Sequence, residues 1–426
     1  MKAKSLLVMI SVTALTLPAV ALGQQEKETR LEQVVVTASR YEEKTEKIPA
    51  SVTVITAEDI QATTAQTVPE VLKEEAGIEV RDYYGNGRTT NVGLNGWGGE
   101  TAGLNTLLLV DGRRVNEIDL SGVDWTQIPL DRVERIEIVR SGGAAVLYGD
   151  NAVGGVINII TKRGKPGTHF TAGGEYGSYQ AHKEQAGFSV GKERLNLALN
   201  GSFTETDGYR TNNYFRNKSA GGSLSADLSD AVGLDLTGGI KSDRYGLPES
   251  LYQSDLDSGA YSRRDSKYPD AYAETDEYYL QITPRLDFLE WGKFQIGLIY
   301  KNKDASSHFT GTYLGSNYTS VDDKGIETFG CTPQYTRQDS FAGRTNVLTA
   351  GIDYYRYEMD QNTDFNQPSM THTIDDNSFR KESVGYYLDD SFELLPALLA
   401  LSLGYRQEIV HYDFDNEHKD LLYSSQ

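Results

Sequence analysis

Cysteine is almost absent: Cys331 is the only one in 426 residues. One thiol forms no internal disulfide, so the chain cannot draw stability from a cross-linked framework. Long apolar runs are missing too. Beyond the first 22 residues nothing approaches the roughly 18 apolar residues a spanning helix needs, which excludes a helical inner-membrane transporter. A membrane barrel stays open, because its alternating strands give a weak hydropathy signal. Positive charge is scarce, with 41 Lys and Arg against 61 Asp and Glu and a net charge of −20. That sign argues against nucleic acid as a partner, since phosphate contacts need cations. It suits a soluble surface or loops that attract cations. The six histidines (169, 182, 308, 372, 411 and 418) show no metal-ligand spacing. No nucleophile–histidine–acid set stands out, although triads assemble in space rather than in sequence. Against 11 prolines stand 42 glycines and 27 tyrosines, the composition of turn-rich β structure with amphipathic aromatics.

What is present begins with an export signal. Lys2 and Lys4 precede an uncharged run from Ser5 to Leu22, and Ala21-Leu22-Gly23 offers small residues for cleavage. A membrane anchor is the competing reading, but Pro18 and the Ala-x-Gly exit favour cleavage, which leaves the remainder more acidic still. "LEQVVVTASR" (31–40) follows, and after it the charged "YEEKTEKIP" (41–49). A strand with no neighbour cannot stabilise itself, so this one awaits a partner. The bland alternative is a flexible tail.

Residues 48–163 read as a small mixed α/β domain. "SVTVIT" is a strand; Thr56 with Asp59, and Thr67 with Glu70, read as helix starts, and Gly77 as a stop. Asp111-Gly112 within "LLLVDGRRV" marks a tight hairpin. "RVERIEIVR" and "GGVINIITK" are strands. The glycine-rich "RSGGAAVLYGDNAVGG" between them is not a phosphate loop: it lacks the Gly-Lys-Ser/Thr ending, and no helix is evident directly after it. Its glycines serve tight turns and close packing.

From 168 to 426 the pattern changes. In "RLNLALNGSF", Leu195, Leu197, Leu199 and Phe203 share one face and Asn196, Asn200 and Ser202 the other. About eleven such segments follow one another, joined alternately by short turns (191–193, 229–231, 395–397) and long polar links near 206–217, 243–275, 304–325 and 359–378. That is the grammar of a transmembrane antiparallel β-barrel, with tyrosines near segment ends as candidate interfacial girdles. A soluble sandwich or propeller is the competing reading, but no repeat of propeller length stands out.

These motifs, in this order, resemble the TonB-dependent outer-membrane receptors. "EQVVVTASR" is similar to the family's TonB box, and "LLLVDGRRVN" and "IPLDRVERIEIVRSGGAAVLYGDNAVGGVINIITK" to its plug signature. The resemblance implies a signal peptide (1–23), box and linker (24–47), plug (48–163) and the first part of a barrel (168–426). It implies a Gram-negative outer-membrane location and no enzymatic activity. Val34, Val35, Val36 and Thr37 would add as a strand to periplasmic TonB, itself driven by inner-membrane energising proteins. Arg140 would latch plug to barrel. Asn95 stands where the family usually has an arginine. Family barrels hold about 22 strands against the half seen here. The expectation is therefore a piece of a longer receptor, or else a short form pairing its edges with another chain.

The implied function is binding and energised import of a scarce ligand. A ferric siderophore is the first expectation and cobalamin the runner-up; a binding-only surface receptor or adhesin is the reading from another class. Plug loops facing outward would offer Tyr83, Tyr84, Asn86, Trp97, Glu100, Asp119 and Trp125 to a metal-chelate or corrinoid ligand. The aromatics supply flat amphipathic contacts. No cofactor is expected, apart from a structural calcium held by Asp255 and Asp257 in the acidic 243–276 stretch.

Overall fold

The computed structural model describes residues 35–36, 40, 43–44, 51–82, 88, 90–99, 101–119, 122–140, 143–313, 316–341, 343–368, 371–395 and 398–421. The first strand is not alone. β1 (Val35–Val36) pairs antiparallel with β2 (Glu43–Lys44), Val35 opposite Lys44 and Val36 opposite Glu43. Two residues of the charged stretch thus pair with the valines, so the expected lone strand is corrected to a two-residue hairpin arm.

The plug is a five-stranded sheet in the order β3 (Val52–Thr56), β8 (Val133–Val139), β9 (Gly155–Thr161), β6 (Thr106–Val110), β7 (Arg113–Arg114). Beside it lies a hairpin of β4 (Ile78–Asp82) and β5 (Thr90–Leu94). Only β6 and β9 run parallel within the sheet. Asp111 and Gly112 both take positive φ, 49° and 80°. Such a turn matches the right-handed twist of flanking strands, which explains the β6–β7 reversal.

Strand β6 is buried on both faces. Leu108 and Val110 pack with Ile136, Ile138, Ile157 and Ile159 on one side. Leu107 and Leu109 pack with Val139, Val156, Leu147 and Tyr148 on the other. Each such side chain contributes about 1.5–3 kcal/mol of burial, enough to make this sheet the plug's rigid centre. α1 (Ala57–Ala62) has the capping box expected, with Thr56 accepting from the Asp59 amide (3.2 Å) and Asp59 from the Thr56 amide (2.9 Å). α2 (Val68–Lys73) starts at Thr67 and buries Val68, Val71 and Leu72. Gly77 takes φ +77° but lies beyond the helix cap at Glu74.

Within the plug, one helix escaped the sequence reading. α3 (Gly143–Tyr148) lies inside the glycine-rich stretch and ends at Gly149 (φ +70°). The short Ala-Ala-Val-Leu-Tyr run between glycines is too brief to show periodicity. Gly154 does serve close packing: a Cβ there would meet the Asn105 carbonyl at 2.9 Å.

The rest is one antiparallel meander of 11 strands, each paired to the next. They are β10 (Gly167–Tyr176), β11 (His182–Lys192), β12 (Leu195–Thr206), β13 (Phe215–Asp227), β14 (Val232–Gly246), β15 (Tyr272–Asp287), β16 (Lys293–Tyr313), β17 (Ser316–Phe341), β18 (Arg344–Gln367), β19 (Thr371–Leu395) and β20 (Leu399–Asp420). The strand count meets the expectation, but two of the long links do not exist as loops. Residues 304–313 and 316–325 continue β16 and β17 as a paired ladder, as do 359–367 and 371–378 in β18 and β19. Polar side chains beyond the membrane do not interrupt backbone pairing, so composition alone misplaced these strand ends. A real long connection does join β14 to β15 and carries α4 (Gln253–Asp257).

Alternation along the strands sorts the wall into two faces. Leu199, Ile240, Tyr278, Leu280, Ile352, Tyr386 and Leu388 are exposed on one. Such an apolar surface is a liability in water and the required one in lipid. The other face is polar and meets the plug. Among the described residues no helix is long and apolar enough to cross a membrane.

Candidate functional site

Three buried clusters tie the plug and its linker to the wall. The first is centred on Arg40, just after the box. Its guanidinium grips Asp353 on β18 with two parallel bonds (2.9 and 2.8 Å) and donates to the Tyr387 hydroxyl on β19 (2.9 Å). It lies between the rings of Tyr148 (4.6 Å) and Tyr387 (4.5 Å). Gln334 on β17 donates to the Arg40 carbonyl (2.6 Å). Arg406 on β20 donates to the same Asp353 (2.9 Å) and to the Leu147 carbonyl (3.3 Å). The cluster therefore joins linker, α3 and four wall strands. Burial pushes the Tyr148 phenol above its ordinary range. A planar guanidinium suits this place because it binds a carboxylate bidentately and stacks on aromatic faces at once.

The second cluster holds the plug segment around Asp124. Arg88 contacts Asp124 (3.0 Å), Asp243 (3.4 Å) and Thr275 (3.0 Å), and lies over the Tyr245 ring at 4.3 Å. Lys241 bridges Asp124 and Asp243. Burial alone would raise the Asp124 carboxyl; Arg88 and Lys241 outweigh it and hold it well below the carboxylate range. In the third, Lys301 donates to both oxygens of Glu117 (2.8 and 2.9 Å), with Lys303 at 3.5 Å. Burial would raise Glu117, and the two lysines instead hold it below its usual range. Lys324 reaches Asp119 at 3.7 Å. Removing one partner of a buried pair costs roughly 3–5 kcal/mol, because the other charge is left uncompensated. These clusters are therefore strong enough to seat the plug.

The expected site residues distribute unevenly. Val35 and Val36 lie in β1, while Val34, Thr37, Tyr83, Tyr84, Asn86 and Glu100 fall outside the described residues, as does the signal peptide. Trp97 is exposed at 47%. Asp119 points to the wall lysine, not to open space. Trp125 is corrected to a core residue: it is 4% exposed, and its indole donates to the Thr90 carbonyl at 2.7 Å. Arg140 is also corrected. Its partners are Thr53, the Ala76 carbonyl and Glu75, all within the plug. The latching arginines are Arg40 and Arg88, which the sequence reading passed over. Arg40 ended the quoted box motif, and nothing local marks a residue whose partner is 313 positions away. Asn95 adopts φ 55° and donates to the Gly154 carbonyl (3.0 Å). Asparagine tolerates that conformation better than arginine.

The calcium pair separates. Asp255 accepts from the Tyr252 amide (2.9 Å) and pairs with Lys267, while Asp257 accepts from Gln253 (2.7 Å). Among the described residues no group of three or more His, Cys, Asp or Glu converges as a metal site.

A mixed α/β domain is thus seated by charge clusters against one face of an antiparallel wall whose other face exposes apolar side chains. Residues 44–156 match the family described as TonB-dependent Receptor Plug Domain, so this part of the chain is similar to the plug of such receptors. The chain is 40% identical over 201 residues to the vitamin B12 transporter BtuB of Vibrio cholerae serotype O1, covering 46% of this chain but only 31% of that protein. The solved ferric citrate transporter FecA, unliganded, superposes with a TM-score of 0.75 at 20% identity, over 88% of this chain and 59% of that one. The ferric yersiniabactin uptake receptor FyuA from Yersinia pestis gives 0.71 at 14%, over 87% and 61%. Likeness at that identity establishes the fold alone.

Proposed function

We propose that this receptor binds a scarce extracellular ligand at its long-loop rim and imports it with energy transmitted by TonB through residues 34–37. Transport rather than bond chemistry is its task. The observation that supports this reading most is the course of the linker. A pull on β1 reaches Arg40 within a few residues, and Arg40 joins Asp353, Tyr148 and Tyr387 in one buried cluster. Drawing it out would strip a positive charge from between two wall strands and α3, and so loosen the plug from the wall.

For the cargo, the sequence ranked a ferric siderophore ahead of cobalamin. The 40% relative, a vitamin B12 transporter, moves a corrinoid ahead, since the siderophore receptors are alike at 20% identity or less. The ferric siderophore is the second reading. Deleting the gene in its own host should abolish energised uptake of labelled cyanocobalamin, and a proton-gradient uncoupler should do the same in the parent. Unchanged cobalamin uptake with lost ferric-siderophore uptake would replace the cargo; no change in either would remove the import function.

A further inference from the structure

On β13 and β14 the wall's outward face carries three cations. Arg216 and Arg244 stand directly opposite each other in the ladder, each about half exposed, and Lys218 is the next outward residue on β13. They share that face with the exposed Leu199 and Ile240, through the pairs Leu199–Gly222 and Ala220–Ile240. Like charges directly opposite on neighbouring strands are destabilising, so this pairing asks for an anion. The wall's own carboxylates do not suffice. Glu205 accepts from Arg216 (2.9 Å), Glu274 lies 4.0 Å from Arg244, and the exposed Lys218 is in no ion pair among the described residues. The cluster is a local exception in an acidic chain, for the cross-strand row of Lys218 runs through Ser242 into Asp276 and Asp304.

Position narrows the choice of anion. Leu199 and Ile240 belong to the apolar face that requires lipid. Lys218 stands two residues beyond the row of Ile240 toward the long-loop rim, and Arg216 and Arg244 four. Those steps are about 7 and 13 Å along a strand, or about 5 and 10 Å in height at the usual barrel tilt, where headgroups begin. The Arg244 guanidinium also lies over the Tyr272 ring at 4.3 Å, which holds it in place. A phosphate offers these three cations three acceptor oxygens, against two on a carboxylate.

We propose that Arg216, Lys218 and Arg244 bind the phosphate headgroup of a lipid in the outer half of the membrane, whose acyl chains lie along Leu199 and Ile240. Anionic lipid is thereby drawn to β13 and β14 and not to the acidic rows beyond them. The site goes beyond the import reading and does not depend on its cargo.

The test uses the receptor extracted from outer membranes of its own host in a neutral detergent, with phosphatidate as the probe and native mass spectrometry counting bound lipid. Diacylglycerol of the same chains lacks the phosphate, and inorganic phosphate lacks the chains. The parent should retain phosphatidate, release diacylglycerol, and keep its lipid against excess inorganic phosphate. Lys218→Gln loses no ion pair and should raise the phosphatidate Kd about fivefold; with Arg244→Gln added the rise should reach about 30-fold, at about fivefold per cation. Arg194→Gln with Lys293→Gln removes two exposed cations at the short-turn rim and should leave Kd unchanged. Gel mobility with and without boiling shows that each variant is folded. Parent-like binding by the double variant, an equal loss in the short-turn control, equal retention of diacylglycerol, or displacement by inorganic phosphate would each overturn the lipid site.

Discussion

At the scale of single residues, the plug is held by charges whose partners come from the far side of the sequence. Glu117 shows the consequence for pH. Its carboxyl, caught between Lys301 and Lys303, is held below its ordinary value of 4.5. A depressed carboxylate contributes stability that is fully present above its unfolded pKa and is lost as pH falls through its folded one. Asp124 shifts in the same direction, under Arg88 and Lys241. The plug should therefore stay seated from neutral pH down to about 4.5 and loosen progressively below it. Glu117→Gln should lower plug stability at pH 7 and flatten that acid limb, because one of the groups that must be protonated is gone. Trypsin sensitivity of the plug in isolated outer membranes, read from pH 7 to pH 3, checks both statements. An acid limb equally steep in parent and variant would take Glu117 out of the latch.

At the scale of elements, strand existence was legible and strand extent was not. The alternation in 194–203 placed β12 because apolar residues on every second position leave one face for lipid. The same rule explains the misjudged tyrosines. Tyr278-Tyr279, Tyr354-Tyr355 and Tyr386-Tyr387 stand among the tyrosines near segment ends, but neighbours on a strand face opposite ways. Tyr278 and Tyr386 are exposed at 47% each, whereas Tyr355 and Tyr387 are buried and Tyr279 lies under the Arg113 guanidinium at 3.9 Å. Arg114 lies over Tyr355 at 5.2 Å and Arg40 over Tyr387. Half of each pair thus serves the plug, a role invisible until the lumen is known to be filled. The hairpin arm of β1 and β2 gives the element-scale prediction. Val35→Pro removes a backbone donor and fixes φ, which opposes any strand pairing at that position. Energised uptake should fall to background while ligand binding to whole cells is unchanged, since the long-loop rim lies at the other end of the plug. Normal uptake at normal abundance would show that residues 34–37 are not where TonB takes hold.

At the scale of the whole molecule, the wall has two margins. β10 and β20 stand at the ends of the sheet order and are not paired with each other. Every position of β10 is exposed, as is nearly every position of β20. An edge strand carries a row of unpaired amides and carbonyls. In hydrocarbon each such group costs several kcal/mol. Total native stability is only about 5–15 kcal/mol, so a handful of unpaired groups exceeds it. The apolar outer face makes lipid the wall's environment, and the margins forbid lipid at its edges. Both conditions hold together only when each margin meets another strand. Polypeptide 24–426 refolded by itself into detergent should therefore self-associate through β10 and β20 rather than form a heat-resistant monomer. Light scattering gives its mass, and gel mobility with and without boiling reports a closed sheet. A protease-resistant monomer with heat-shifted mobility would mean that the two margins close on each other, contrary to the strand order seen here.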